Sequence, residues 1–301
     1  MAGPSIAPVV VGDADTEVVA AAPAPTSTSA WWRRIGPTGW IGLAIVVFWA
    51  LAALVGPALL SRTGAQGGGG VFAPISARHW LGTDYLGRDM LARVIEGARY
   101  TVGVAFAASL LASATGTGLA LLAAASGRWI DQVLSRVLDT FTAIPSKMFA
   151  LIMVAGFGSA VPMLVFTAAF IYVPGAYRIA RSLAVNINAM DYVTVARTRG
   201  ESTAYVMLRE ILPNITGPVL ADLGLRFVYV MLLLAGLSFL GLGVQPPAAD
   251  WGSLVRENIN ALPEGGASVI APAVAIASLT IAVNLVIDNL PGRRLRQQAV
   301  H

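Results

Sequence analysis

Three long stretches of this chain carry no charged residue: Ile41–Leu60, Tyr100–Gly127 and Gly265–Ile287. A helix of about twenty apolar residues crosses the hydrocarbon core of a bilayer, so each stretch predicts a membrane span. Gly217–Gly243 predicts another, with Asp222 and Arg226 near its start, and Met163–Tyr177 one more. Val137–Gly156 is also apolar enough, although Asp139, Pro145 and Lys147 interrupt it, and a turn at Gly158–Pro162 separates it from the next span. Neither segment flanking that turn alternates with a period of two, so helices are expected rather than strands. The pattern therefore predicts an all-α polytopic membrane protein with six transmembrane helices.

The polar intervals divide the chain further. Residues 1–35 form a predicted flexible cytoplasmic tail, rich in Ala, Pro, Ser and Thr and without the basic start of a secretory signal. The first span occupies 36–60, an extracytoplasmic loop 61–98, a five-helix core 99–289, and a second cytoplasmic tail 290–301. After Arg178 the character changes, and charges and asparagines appear between Arg181 and Asn214, so a large polar loop is expected at 178–216. Trp31, Trp32 and Trp40, with Arg33 and Arg34, suit an interfacial anchor before the first span. Gly67–Gly70 reads as a pliable insertion in a loop.

Arginines choose an orientation. With both termini inside, twelve lie on cytoplasmic segments: Arg33, Arg34, Arg128, Arg136, Arg178, Arg181, Arg197, Arg199, Arg209, Arg293, Arg294 and Arg296. Six lie outside: Arg62, Arg78, Arg88, Arg93, Arg99 and Arg256. The positive-inside rule favours cytoplasmic termini. Composition agrees with a membrane class, because 56% of residues are hydrophobic and only 12% charged, whereas soluble domains carry about 25% charged residues.

Chemistry is sparse. There is no cysteine, and the two histidines, His79 and His301, stand far apart, so neither a metal cluster nor a catalytic dyad is indicated. No GxxxxGK[ST] or dinucleotide fingerprint occurs. Asp222 and Arg226, four apart, share a helix face and suit a structural pair near the cytoplasmic rim. Lys147 has no acidic neighbour at helical spacing. It either snorkels to an interface or faces a watery interior, where it would attract a carboxylate.

Three motifs carry a family resemblance. The first is His79-Trp80-Leu81-Gly82-Thr83-Asp84-Tyr85-Leu86-Gly87-Arg88-Asp89, with Arg93 and Gly97-Ala98-Arg99 after it. The second is Asp191-Tyr192-Val193, Ala196-Arg197, Gly200 and Ile211-Leu212-Pro213-Asn214. The third is Leu237 to Pro247, including Ser238, Gly241, Gly243, Pro246 and Pro247, followed by Trp251-Gly252. In this order they resemble the inner-membrane permease subunits of ATP-binding-cassette importers for dipeptides and oligopeptides, of type I architecture.

The resemblance implies a transport subunit rather than an enzyme, resident in a bacterial cytoplasmic membrane. It implies a second homologous permease chain, two cytoplasmic ATPase subunits and an extracytoplasmic peptide-binding protein, with surrounding lipid and no nucleic acid. ATP and magnesium would sit on the ATPases, and no cofactor on this chain. The coupling helix maps to Thr194–Asn214, with Ala196, Arg197, Gly200, Tyr205, Leu208, Arg209, Pro213 and Asn214 as its candidate residues. Thr194 and Val195 depart from the family's usual Glu-Ala, and Glu210 stands where histidine is common. Physically, Gly200 relieves a tight turn, Pro213 redirects a helix, Asn214 caps the next one, and the apolar side chains between them suit a partner groove.

Two readings of Gly82, Thr83, Asp84, Gly87, Arg88 and Asp89 stand side by side: a self-bonded structural turn, and a plug or docking surface for the binding protein. Leu237–Pro247 reads as architectural, with Ser238 bonding inside its helix. Transport of nickel complexes or another small solute is an alternative substrate class. A self-contained ion-coupled carrier using Lys147, Asp222 and Arg226 is an alternative mechanism.

Overall fold

The computed structural model describes residues 36–60, 69–264 and 266–289. Both predicted tails, with Trp31, Trp32, Arg33 and Arg34, lie outside the described residues, as do Arg62, Gly67 and Gly68.

Regular structure among the described residues is helical: α1 Pro37–Leu60, α2 Met90–Ser126, α3 Arg128–Thr142, α4 Ser146–Phe157, α5 Val161–Asn188, α6 Asp191–Thr198, α7 Thr203–Tyr205, α8 Leu212–Phe239, α9 Trp251–Glu257 and α10 Ala267–Asp288. A π-helical turn at Val206–Ile211 joins α7 to α8, so Thr203–Phe239 runs without interruption. Five helical stretches are long and apolar enough to cross a membrane, or six if α3 and α4 count as one broken span.

That broken span corrects the single helix predicted over Val137–Gly156. α3 and α4 meet at 82°. Pro145 offers no amide hydrogen and disfavours helical backbone at the residue before it. The preceding turn closes early instead, through Ala143 N–H to Thr140 O and Ile144 N–H to Phe141 O.

Other boundaries shift for similar local reasons. α2 begins at Met90 because the Asp89 carboxylate accepts from Ala92 N–H, 2.9 Å away, and caps it. Arg93 and the residues up to 98 are therefore helical rather than part of a loop. α5 continues eleven residues past Tyr177, since its polar end is covered by a second helix: Arg181 pairs with Asp131 and Tyr177 bonds Ser135 at 2.8 Å, both on α3. Most of the predicted loop at 178–216 is helix. α8 stops at Phe239 rather than Gly243, because Gly241 turns left-handed at φ +86° and Leu242 N–H returns to Leu237 O.

Small residues set the packing. α2 and α5 pack along much of their length, with Ala105, Ala108, Ala112, Ala120, Ala168, Ala169, Ala176 and Ala180 buried. Without side-chain bulk, backbones approach and gain dispersion contact, which replaces the hydrophobic effect inside lipid. α1 lies against α2 and α10. Asn289, just past α10, donates to Thr38 Oγ1 at 3.1 Å, so the start of α1 and the end of α10 share one end of the bundle.

Gly116 is the tightest point of the α2–α5 seam: a Cβ there would lie 2.8 Å from Tyr177 N and 3.0 Å from Val173 O. A Cβ on Gly118 would meet nothing within 4 Å. Gly116→Val is expected to lower stability by about 1–3 kcal/mol, the usual cost of overpacking, and Gly118→Val much less. Thermal melting of the detergent-purified chain measures the difference, and equal shifts would refute this packing.

Candidate functional site

One end of the bundle carries a helical hairpin. α6 ends at Gly200, which adopts φ +82°, while Glu201 N–H reaches back to Ala196 O. This is the same left-handed helix stop that ends α8, and a glycine meets its demand without strain. Ser202 then caps α7 through Tyr205 N–H. Val193, Val206, Ile211 and Ile215 are fully buried against Leu121, Ala124 and Ala125 of α2 and Ala184 of α5. Arg197 donates to Ala125 O at 3.1 Å and to Asn188 Oδ1 at 2.9 Å, tying α6 to the ends of α2 and α5.

Two expectations here change. Pro213 sits in the first turn of α8 and does not stop a helix, because the π turn before it accommodates the missing amide hydrogen. Asn214 caps nothing. It lies within the helix and donates to Glu210 O at 2.6 Å and to the Tyr192 hydroxyl at 3.2 Å, bracing α6 against α8. Of the predicted apolar surface, Val206 and Ile211 turn into the core, whereas Tyr205 and Leu208 are exposed, as are Tyr192 and Val195 on α6. Arg209 is exposed beside them. Tyr192, Val195, Ala196, Arg199, Glu201, Tyr205 and Glu210 line a groove of about 310 Å³.

A polar layer crosses the middle of the bundle. Arg226 Nε lies 2.6 Å from Asp222 Oδ2, the predicted pair, and Arg226 Nη1 also donates to Tyr172 O at 2.9 Å. That second bond reaches the region where Pro174 interrupts the α5 ladder. The break between α3 and α4 is level with this layer: Phe141 and Phe149, on its two sides, both meet the Phe170 ring, at 5.0 and 5.4 Å. Lys147 stands exposed in the first turn of α4, with no hydrogen bond or ion pair among the described residues. A cation gains nothing from its own helix at that end.

The other end is a bonded cap. Gly82 and Gly87 both adopt φ +72°. The Thr83 hydroxyl donates to Gly70 O at 2.6 Å and accepts from Ala73 N–H at 2.7 Å. Buried Asp84 accepts from Leu86 N–H, Arg88 N–H and Arg88 Nε. All six predicted residues of this loop are thus drawn into one local network, as a self-bonded turn requires. Sequence patterns did not reveal what the network leans on. Tyr85 N–H donates to Asn258 Oδ1 across 173 positions, and Arg93 lies 3.7 Å from Glu257 and 3.9 Å from Asp84. Ser238 does not bond within its helix. Its hydroxyl donates to Asp250 at 2.6 Å, and Gly243 packs so closely over Ser238 that no side chain fits. Pro246 and Pro247 lie between them, the Pro247 carbonyl accepting from Arg93 at 3.3 Å. Asp250 and Ser253 cap α9 reciprocally, a local pattern that could have been read as a helix start.

The sequence profile of the family described as "Binding-protein-dependent transport system inner membrane component" matches residues 116–296. The chain belongs to this family. It is a transport subunit of a multi-pass inner-membrane system. The permease is 32% identical over 251 residues to the dipeptide transport system permease protein DppC of Alkalihalophilus pseudofirmus, covering 83% of each chain. It is 33% identical to the glutathione transport system permease protein GsiD of Pectobacterium atrosepticum, covering 73% of this chain and 72% of that one. It is 34% identical to a di/tripeptide transport system permease protein, DppC, of Pseudomonas aeruginosa, covering 71% of each.

The cap of the permease holds two carboxyls that burial pushes upward. Asp250 is raised by desolvation against hydrogen bonds from Ser238 and the α9 backbone. Glu257 is raised by desolvation, which outweighs the opposing charges of Arg93, Arg88 and Arg256. A carboxyl whose folded pKa exceeds its unfolded value stabilises the fold when protonated, and that contribution is lost as pH rises through the folded pKa. Glu257 therefore weakens the cap as pH climbs above 4.5, its ordinary value. The melting temperature of Glu257→Gln is expected to fall less than that of the parent over that rise. Parallel pH profiles for the two proteins would count against it.

Proposed function

We propose that the permease forms half of the translocation pathway of an ATP-driven importer of dipeptides or oligopeptides. A second homologous permease chain completes the pathway, two cytoplasmic ATPase subunits bind ATP and magnesium, and an extracytoplasmic binding protein delivers the peptide. The peptide class follows the names of the relatives, which transport dipeptides, di- and tripeptides and glutathione. Both termini are cytoplasmic in this reading, in keeping with the arginine bias and with the shared end of α1 and α10. The Gly82–Asp89 cap then faces outward, where it shapes the surface that meets the binding protein.

One observation carries the coupling role. The α6–π hairpin is built like a docking element: a buried side fused to α2, α5 and α8, and an open side with Tyr192, Val195, Tyr205 and Leu208 around a groove. An element with exposed apolar anchors and a rigid back transmits displacement from a partner instead of absorbing it. Arg197, Pro213 and Asn214 serve its internal bracing, while Tyr205, Leu208 and Arg209 meet the ATPase.

Gly200 provides the test. A Cβ there would meet nothing within 4 Å, so substitution acts through the backbone alone. Left-handed backbone costs an ordinary residue about 1–2 kcal/mol, and asparagine less. Gly200→Val should reduce ATP-driven uptake more than Gly200→Asn, with membrane insertion unchanged. Leu208→Asp should reduce uptake about tenfold, equivalent to about 1.4 kcal/mol of docking, and weaken ATPase co-purification. Normal uptake and normal ATPase binding in Leu208→Asp would refute this docking face.

A further inference from the structure

A broken spanning helix leaves backbone groups that hydrocarbon cannot satisfy. Such backbone is tolerated at membrane depth only where protein covers it or water reaches it. In the permease the break at 143–145 is level with residues 170–175, the middle third of α5, and every residue from 139 to 148 is exposed in the isolated chain. This face therefore does not lie against lipid tails. Lys147, within this exposed stretch, separates the remaining choices. Sealed between two chains it would need a counter-charge, whereas beside water it stays solvated.

At the break the chain encloses a cavity of about 320 Å³, lined by Phe141, Pro145, Ser146, Phe149, Phe170 and neighbouring residues. That volume is near the lower end of ligand pockets, of about 300–1,000 Å³, and suits a side chain rather than a whole peptide. Aromatic rings on both sides offer edges and faces to an apolar or aromatic guest. Arg226 is unavailable to a ligand at this level, being committed to Asp222 and the Tyr172 carbonyl. Lys147 has no such commitment among the described residues.

We propose that this cavity is a substrate subsite: it receives an apolar or aromatic side chain of the peptide in transit, while the exposed Lys147 ammonium, next in sequence to lining residue Ser146, receives a carboxylate. The assignment rests on the peptide-import reading and adds to it a position and a side-chain preference.

The test uses the complete complex, with both permeases, ATPases and binding protein, reconstituted in liposomes and supplied with dialanine, diphenylalanine and their C-terminal amides. Ser146→Phe fills the cavity from its exposed rim without removing a packed ring. It should lower diphenylalanine uptake about tenfold and dialanine uptake less than about twofold, the discrimination typical of a filled apolar pocket. Lys147→Met should lower uptake of the free acids relative to the amides, and Lys147→Arg should restore it. Because the chain has no cysteine, Lys147→Cys gives this chain a single thiol, and labelling is read on this chain's own band. A charged, membrane-impermeant maleimide should modify that thiol, and diphenylalanine should slow that reaction. Equal losses for both peptides in Ser146→Phe, no acid-against-amide difference in Lys147→Met, or a thiol sealed from the maleimide would each overturn the subsite. A wild-type complex that hydrolyses ATP but imports neither peptide would overturn the import reading itself, and the subsite with it.

Discussion

The arrangement depends on one buried indole. Trp251 is fully enclosed; its Nε1–H donates to Val94 O at 2.8 Å and its backbone N–H to Thr101 Oγ1 at 2.9 Å. Its ring meets Trp49 edge-on at 4.7 Å, and neighbouring Gly252 presses against the backbone of Ala235. Trp251 and Gly252 together thus join α1, α2, α8 and α9. Gly97 leaves room for the ring, since a Cβ there would come within 3.2 Å of it. A buried tryptophan with its N–H satisfied contributes large contact area at no unpaired polar cost. From it the cap is organised: Asp250 precedes it and holds Ser238, and Asn258 follows it and holds the Gly82–Asp89 loop.

Spans were legible in the sequence because hydrocarbon thickness fixes a minimum apolar length, and five of the six predicted segments have most of their length inside one long helix. Their ends were not legible, because helices here continue beyond the apolar run. Arg178 and Arg181 mark the start of a loop when read alone. In the fold they stay helical, their charges met by Asp139 and Asp131 on α3. Pro213 looked like a stop, yet a π turn accommodates it. Pro145 looked like an interruption within one span and proved to mark a break of 82°.

Site residues divide along the same line. The turns at Gly82, Gly87, Gly200 and Gly241 could be placed from sequence because a left-handed residue is a local demand. The Asp222–Arg226 pair was legible because helical spacing is also local. Bonds such as Tyr85 to Asn258 and Trp251 to Val94 join positions more than 150 apart, and no neighbourhood rule foretells them. The second partner of Arg226, the Tyr172 carbonyl on α5, was hidden for the same reason.

The unbroken helix from Thr203 to Phe239 has a mechanical meaning. At 1.5 Å per residue, Leu208 stands about 45 Å from Ser238, and Arg226 about 18 Å from it. Ser238 is clamped to Asp250, so the rod has a pivot at the capped end and a handle where the α6 hairpin is mounted. Sideways motion of the handle reaches the Arg226 level reduced to about two-fifths by simple proportion of those arms. A handle stroke of several ångströms becomes a mid-bundle displacement small enough to repack side chains without parting the helices.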